Sequence, residues 1–453
     1  MEFHKYLKKY FYIIFILAFI INSFLVYEVN KKFNKYEVVN NQIVAHKIIK
    51  GDSLKYWKIA NELNKDFFLF PYDFRNAQLY PKIIFLFNKF TSQSFFDDEG
   101  NPILNSKFNI FYFQLIFYFF SLFFLYKSLL INISSKLLPE IIILFLSLDR
   151  FINQMHYSVY AESIFISLLI ILISLILRLR KNIFKKTFII GILLGMLFMQ
   201  RTVAIYYILA LIPFFLIYFK NHKTKIIFAL FSGYSLVCCF ILIMSYNSIG
   251  IPRISPTQIE DGIYGYLVPN VYAKKNNISL SESKKIFFND KTDEFIEDNN
   301  LNINNFKDFD KLSKFKKDFA KQFLLNNSFQ TAQVLIFNYS KSLFIYPNFI
   351  TEFFNTAAKK DFETIEKKKR IKNSFLIRSI YSFIFILLSI IGFIFSFKIL
   401  NKNFILFLFL SALYFFLISG WVGNPRYFLP SYVFILFFSA TGFYSIFFYL
   451  KKI

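Results

Sequence analysis

Cysteine is almost missing from this chain of 453 residues: Cys238 and Cys239 are its only two. They are adjacent within an apolar run, so they can hardly bridge each other, and no metal-ligand spacing exists. A disulfide framework and a cysteine-held metal are excluded, and the pair does not report on redox compartment. Acidic residues are scarce too, 28 against 53 Lys and Arg, which leaves a net charge of +25. Such an excess can mark a nucleic-acid binder. Here many of the lysines stand at the ends of hydrophobic segments, where they set orientation in a membrane instead. No small-residue cleavage site follows Phe24-Leu25-Val26. The start, with Lys5, Lys8 and Lys9 before an apolar run, therefore reads as an uncleaved first helix. No internal repeat is visible.

What fills the chain is apolar. Hydrophobic residues make up 56% and aromatics 22%, and mean hydropathy is +0.45, too high for an ordinary soluble protein. The 68 Phe, with abundant Ile, Lys and Asn, fit an AT-rich, bacterial genome. The apolar segments run about twenty residues, enough for a helix to cross roughly 30 Å of hydrocarbon. Ten spans are predicted, at 10–27, 108–131, 137–152, 162–178, 187–202, 203–219, 226–246, 375–397, 404–419 and 428–449. The class is an all-α polytopic membrane protein, one domain over 1–453, in the bacterial cytoplasmic membrane.

Charge sets the orientation. The short connections that hold Lys127 and Lys136, Arg178 to Lys186, Lys220 to Lys225, and Lys398 and Lys402 are basic, and so is the end, with Lys451 and Lys452. The alternate turns, around 153–161 and 420–427, contain only Arg426. Both termini are expected in the cytoplasm. Two long regions, 28–107 and 247–374, are then outside. The first carries an amphipathic helix from near Asp52, with Ile59, Leu63 and Phe67 on one side. The second is polar, with a mixed segment at 329–350 in which Lys341 and Pro347 make a poor span; it reads as an interfacial helix. Lys367 to Arg370 fall outside, as basic residues in long loops can.

A carboxylate just outside the first span is suited to catalysis on a lipid-borne substrate, because it stays partly hydrated at the boundary yet reaches into the bilayer. Asp52 stands there, in GDSLKYWKIA. Four further stretches follow in order: RNAQLYPKIIFLF with Arg75, YAESIFISLLIIL with Glu162, GILLGMLFMQRTVAIYYILALIPFF with Arg201, and GNPRYFLPSYVFIL with Arg426 and Tyr427. Together they resemble the GT-C superfamily of polyprenyl-phosphate-sugar-dependent glycosyltransferases, a group that includes protein O-mannosyltransferases and the lipid A aminoarabinose transferase. The resemblance covers nearly the whole chain. It implies an enzyme that takes a sugar from a polyprenyl-phosphate carrier at the outer face, with inversion, and gives it to an envelope lipid, glycan or protein. It implies Asp52 as the base, and Arg75, Glu162, Arg201 and Arg426, with the adjacent Tyr427, as the donor pocket. Many relatives carry a second acid beside that Asp. Here Gly51 precedes a single one, so no metal or other cofactor is indicated.

The chemistry agrees with this reading. Departure of a phosphate from C1 leaves two negative charges, which arginines stabilise bidentately, while one carboxylate suffices to take the acceptor's proton. Each residue also has a plainer role. Asp52 suits a helix N-cap, Glu162 a helix dipole, Arg201 and Arg426 snorkelling to the interface, and Arg75 a solvated loop. His156 is expected to be an exposed loop histidine rather than a metal partner of Glu162. Tyr80, Tyr157, Tyr160 and Tyr427 suit an aromatic belt. A transporter or flippase for a lipid-linked sugar would place charges at the bilayer midplane, often in two repeated halves. An envelope polysaccharide polymerase or ligase would carry its functional loop late in the chain.

Overall fold

The structure is a computed structural model. It describes residues 2–36, 38–39, 42–43, 52–68, 78–92, 94–96, 100, 102, 109–133, 135, 137–179, 182–219, 221–250, 252–254, 262–302, 306–344, 365–421 and 425–449. Seven described helices are long and apolar enough to cross a membrane, and three shorter apolar helices stand at the remaining predicted spans. In chain order the bundle comprises α1 (Glu2–Tyr36), α4 (Ile110–Asn132), α5 (Leu138–Leu148), α7 (Ala161–Leu177), α8 (Ile183–Gln200), α9 (Tyr207–Tyr218) and α10 (Lys223–Ile249), then α16 (Ile365–Ile399), α17 (Lys402–Ser419) and α18 (Pro425–Tyr444). Between them lie α2 (Asp52–Glu62), α3 (Leu79–Phe90) and the single turn α6 (Arg150–Asn153). The second outer region supplies α11 (Val268–Asn276), α12 (Leu280–Lys285), α13 (Lys291–Asp298), α14 (Phe306–Asn326) and α15 (Ser328–Phe344). One pair of two-residue strands, Val38–Val39 and Gln42–Ile43, is the only strand pairing among the described residues.

α7 sits at the centre, packed on α4, α8 and α18, and almost all of its side chains are buried. α10 lies along α8 and α16 along α18, at the periphery. Glycine allows both of these pairs. A Cβ on Gly191 would lie 2.1 Å from the Leu230 carbonyl oxygen, and one on Gly392 1.8 Å from that of Phe438. The helices thus meet backbone to backbone, as small residues permit in a membrane.

The two ends of the bundle are built differently. At one end, Arg178 donates from Nε to Ser128 Oγ at 2.7 Å and lies over the Phe124 ring, while Lys186 donates to the Arg178 carbonyl. Tyr218 donates to the Leu179 carbonyl, and Tyr126 to Glu140 Oε1, at the same end. The other end gathers the starts of α4, α7 and α18 and the finish of α8, and onto it the first outer region docks.

The buried face of α2 is Ser53, Tyr56, Trp57 and Ala60, at the i, i+3, i+4 spacing of a helical stripe, and Leu63 just past its end is buried with them. The expected face through Ile59, Leu63 and Phe67 is therefore rotated. Ile59 is half-buried, and Phe67 lies beyond the helix. Trp57 decides the rotation, its indole buried and donating to the Phe95 carbonyl at 2.7 Å. The second outer region packs its helices around Tyr264, Val268, Phe287 and Ala320.

Candidate active site

Hydrogen bonds carry the first outer region onto the end of the bundle and tie the helices there to one another. Ser53 Oγ donates to the Val159 carbonyl at 3.0 Å, and the backbone N–H of Gln78, which precedes α3, donates to Met199 O at 3.0 Å. Gln200 Nε2, at the close of α8, donates to Ala161 O at 2.8 Å. The starts of α2, α3 and α7 and the finish of α8 are thereby tied together.

Glu162 lies in the first turn of α7, 2% exposed. α8 stops at Arg201, where the backbone turns extended (φ −150°, ψ 127°), and α18 opens at Pro425, a residue suited to the first helical position, with Arg426 next. These three local choices deliver one carboxylate and two guanidiniums to one place. Arg426 Nε lies 2.7 Å from Glu162 Oε1, and Arg201 Nη1 lies 3.4 Å from the same oxygen. Both arginines are largely buried, their side chains 12% and 8% exposed. Tyrosines complete the shell. The Arg201 guanidinium lies 4.9 Å from the Tyr427 ring centre, and that of Arg426 4.7 Å from Tyr160 and 5.6 Å from Tyr427. Glu162, Arg201, Arg426 and Tyr427, far apart in sequence, are thus brought together. Glu162 Oε1 is thus shared by both guanidiniums.

Asp52 opens α2, and its side chain lies outside the described residues. Its bonded neighbour Ser53 holds the Val159 carbonyl three residues before Glu162, so the helix start bearing Asp52 stands beside the cluster. Arg75 lies outside the described residues. Among the described residues, no three His, Cys, Asp or Glu side chains converge as metal ligands would.

Several polar residues here depart from the expectations. Tyr80 is not in an exposed belt but fully buried. It donates to Gln114 Oε1 at 2.6 Å, and Gln114 Nε2 donates to the His156 and Ser158 carbonyls. Both amide hydrogens are used, so the amide orientation is fixed and the Tyr80 hydroxyl must be the donor. Burial, with Tyr56, Glu162 and Tyr160 nearby, holds the Tyr80 phenol well above its ordinary pKa. Tyr157 is buried as well and donates to Asn22 of α1. His156, expected to be exposed, is fully buried against Tyr118, with Nδ1 2.7 Å from Ser163 Oγ and Nε2 without a hydrogen-bond partner. Burial pushes its imidazole down to about 3. Asp149, which had drawn no attention in the sequence, caps α6 by accepting from Ile152 N and also accepts from Tyr432 at 2.9 Å. Uncharged Gln and Tyr inside apolar stretches carry no signal that separates a network from a belt.

No protein-family model matches the chain, and no curated protein sequence does. Among solved structures, the Archaeoglobus fulgidus oligosaccharyltransferase AglB, in complex with an inhibitory peptide and a dolichol-phosphate, aligns with a TM-score of 0.52 at 12% identity over 98% of this chain. The Archaeoglobus fulgidus oligosaccharyltransferase tethered to an acceptor peptide containing the NVT sequon aligns with 0.51 at 13% identity over 99%. The fold is GT-C. At such identity the likeness is one of fold, and the chain spans about half the length of either oligosaccharyltransferase, 51% in both alignments. The resemblance carried by the five sequence stretches thus holds at the level of architecture.

Proposed function

We propose that this protein is an inverting glycosyltransferase that moves a sugar from a polyprenyl-phosphate carrier to an envelope lipid, glycan or protein at the outer face of the bacterial cytoplasmic membrane. One observation carries the reading: Arg201 and Arg426, both largely buried, converge on Glu162 at one end of a GT-C bundle. Largely buried guanidiniums are costly unless anions share them, and a phosphodiester is an anion that their planar forks fit. A donor phosphodiester brings such an anion to these two arginines. That a solved relative by fold holds a dolichol-phosphate supports the same donor class.

In this reading Asp52 takes the proton of the acceptor hydroxyl as its oxygen attacks C1. The C1–O bond to phosphate breaks, and its electron pair leaves with the polyprenyl phosphate. The phosphate thereby goes from one negative charge to two, so fixed cations bind the transition state more tightly than the donor. Glu162 keeps the guanidiniums aligned between turnovers.

The test is binding and transfer with a polyprenyl phosphate and its radiolabelled sugar ester in membranes holding equal amounts of each variant. Arg201→Ala and Arg426→Ala should each cost about 2–5 kcal/mol in donor binding. Lysine at either place should rescue only in part, since the planar fork is lost. Unchanged lipid binding by a well-folded Arg201→Ala protein would remove the donor assignment.

A further inference from the structure

The finish of α17 is capped from a distance. The last carbonyls of a helix lack partners within it, and here α15 supplies two. Buried Asn338 donates from Nδ2 to the Gly420 carbonyl at 3.0 Å, and Tyr339 donates from its hydroxyl to the Leu417 carbonyl at 2.8 Å. The Tyr339 ring lies on Gly420 so closely that a Cβ there would be 2.1 Å from it, and it packs 4.9 Å from Phe416. Six residues after Gly420 comes Arg426. The same helix turns Phe329, Ile336 and Phe337 outward, 70%, 66% and 67% exposed. The two spans that α15 touches, α17 and α16, carry exposed apolar side chains of their own, Leu413 and Leu417 on one and Ile380 and Phe383 on the other, of the kind a bilayer would cover. The outward face of α15 is apolar in the same way.

We propose that α15 is a positioning helix. Seated in the outer interface of the bilayer by Phe329, Ile336 and Phe337, it holds the α17 terminus through Asn338 and Tyr339, and so fixes the place from which the chain goes on to Arg426 and Tyr427 beside Glu162. Its occupant is lipid, because the helix touches two spans whose exposed side chains are apolar like Phe329, Ile336 and Phe337, with Lys341 one turn on able to reach the headgroups. The proposal rests on the donor-site reading above.

The experiment uses the full chain in nanodiscs. The double variant Asn338→Ala with Tyr339→Phe loses both hydrogen bonds but keeps the ring, and should weaken binding of undecaprenyl phosphate about tenfold. The KM for donor should rise with it while the KM for acceptor stays, a split that general loosening would not give. Tyr339→Phe alone keeps the packing and should show a smaller loss of the same kind, should the double variant fold poorly. Arg426→Ala is the control. Normal binding by Arg426→Ala overturns the donor-site reading, and the positioning role falls with it. Loss in Arg426→Ala with normal binding in the capping variants overturns the positioning role alone. For the seat, a bimane on cysteine substituted for Ile336, with Cys238 and Cys239 replaced by Ala, should be quenched by lipids brominated on their acyl chains. Quenching by aqueous iodide and not by those lipids overturns the bilayer seat.

Discussion

At position 52, asparagine and aspartate separate the two roles open to the residue. Asn caps a helix about as well as Asp but cannot take a proton as a carboxylate does. If Asp52 is the base, Asp52→Asn should keep expression, thermal stability and donor binding while sugar transfer falls by about a hundredfold or more. Normal transfer would assign the residue to capping α2 alone. His156 offers a test by pH. Its folded pKa of about 3 lies below the ordinary 6.5, so between these values the unfolded chain holds the extra proton and stability rises with pH. On acidification through that window the wild type should lose about 1.4 kcal/mol per pH unit relative to His156→Gln. Parallel melting curves of the two proteins from about pH 4.5 to 7 would show that the ring does not titrate in this way. The residues legible from sequence were those whose charge stands out against an apolar background, Glu162, Arg201 and Arg426 above all. Tyr80, Gln114 and His156 escaped because a neutral polar side chain in such a chain reveals its partner only when the fold supplies it.

Among the elements, helix spans were legible wherever length and hydropathy suffice, and only their rotation was not. The face of α2 turned on Trp57, an amphipathic side chain whose apolar body is buried while its N–H finds a carbonyl. Aliphatic spacing alone pointed instead to Ile59 and Phe67. Glycine substitutions test the packing between spans. In a helix Gly→Ala ordinarily gains up to about 1 kcal/mol. At Gly191 and Gly392 the new methyl would meet a backbone carbonyl of the neighbouring helix at 2.1 and 1.8 Å, and backbone cannot step aside as a flexible side chain can. Each variant should therefore lose about 1–3 kcal/mol. Gly262 has helical dihedrals and nothing within 4 Å of a built Cβ, so Gly262→Ala should be neutral or stabilising. Thermal unfolding in one detergent ranks the three, and a stable Gly191→Ala protein would mean that α8 and α10 are further apart than described.

For the whole molecule, the question is which way the bundle faces. Its ends are chemically distinct: Arg178, Lys186 and their carbonyl and hydroxyl partners at one, the Glu162 cluster and the docked first outer region at the other. Basic connections favour the cytoplasm because short, positively charged loops are poorly translocated, and in the orientation proposed from them the arginine cluster faces outward. That cluster does not offend the rule, since the short turns at its end, Arg201 and Arg426 included, carry far fewer cations than the opposite connections do. Single cysteines make the orientation measurable in a chain whose Cys238 and Cys239 are replaced. An impermeant maleimide added to intact cells should label positions 92 and 277, in the two outer regions, and should label 182 and 221 only after lysis. Labelling of 182 in intact cells with protection of 92 would turn the cluster to the cytoplasm. The sugar would then have to be drawn from the inner leaflet, and an envelope acceptor outside could not be reached by this site.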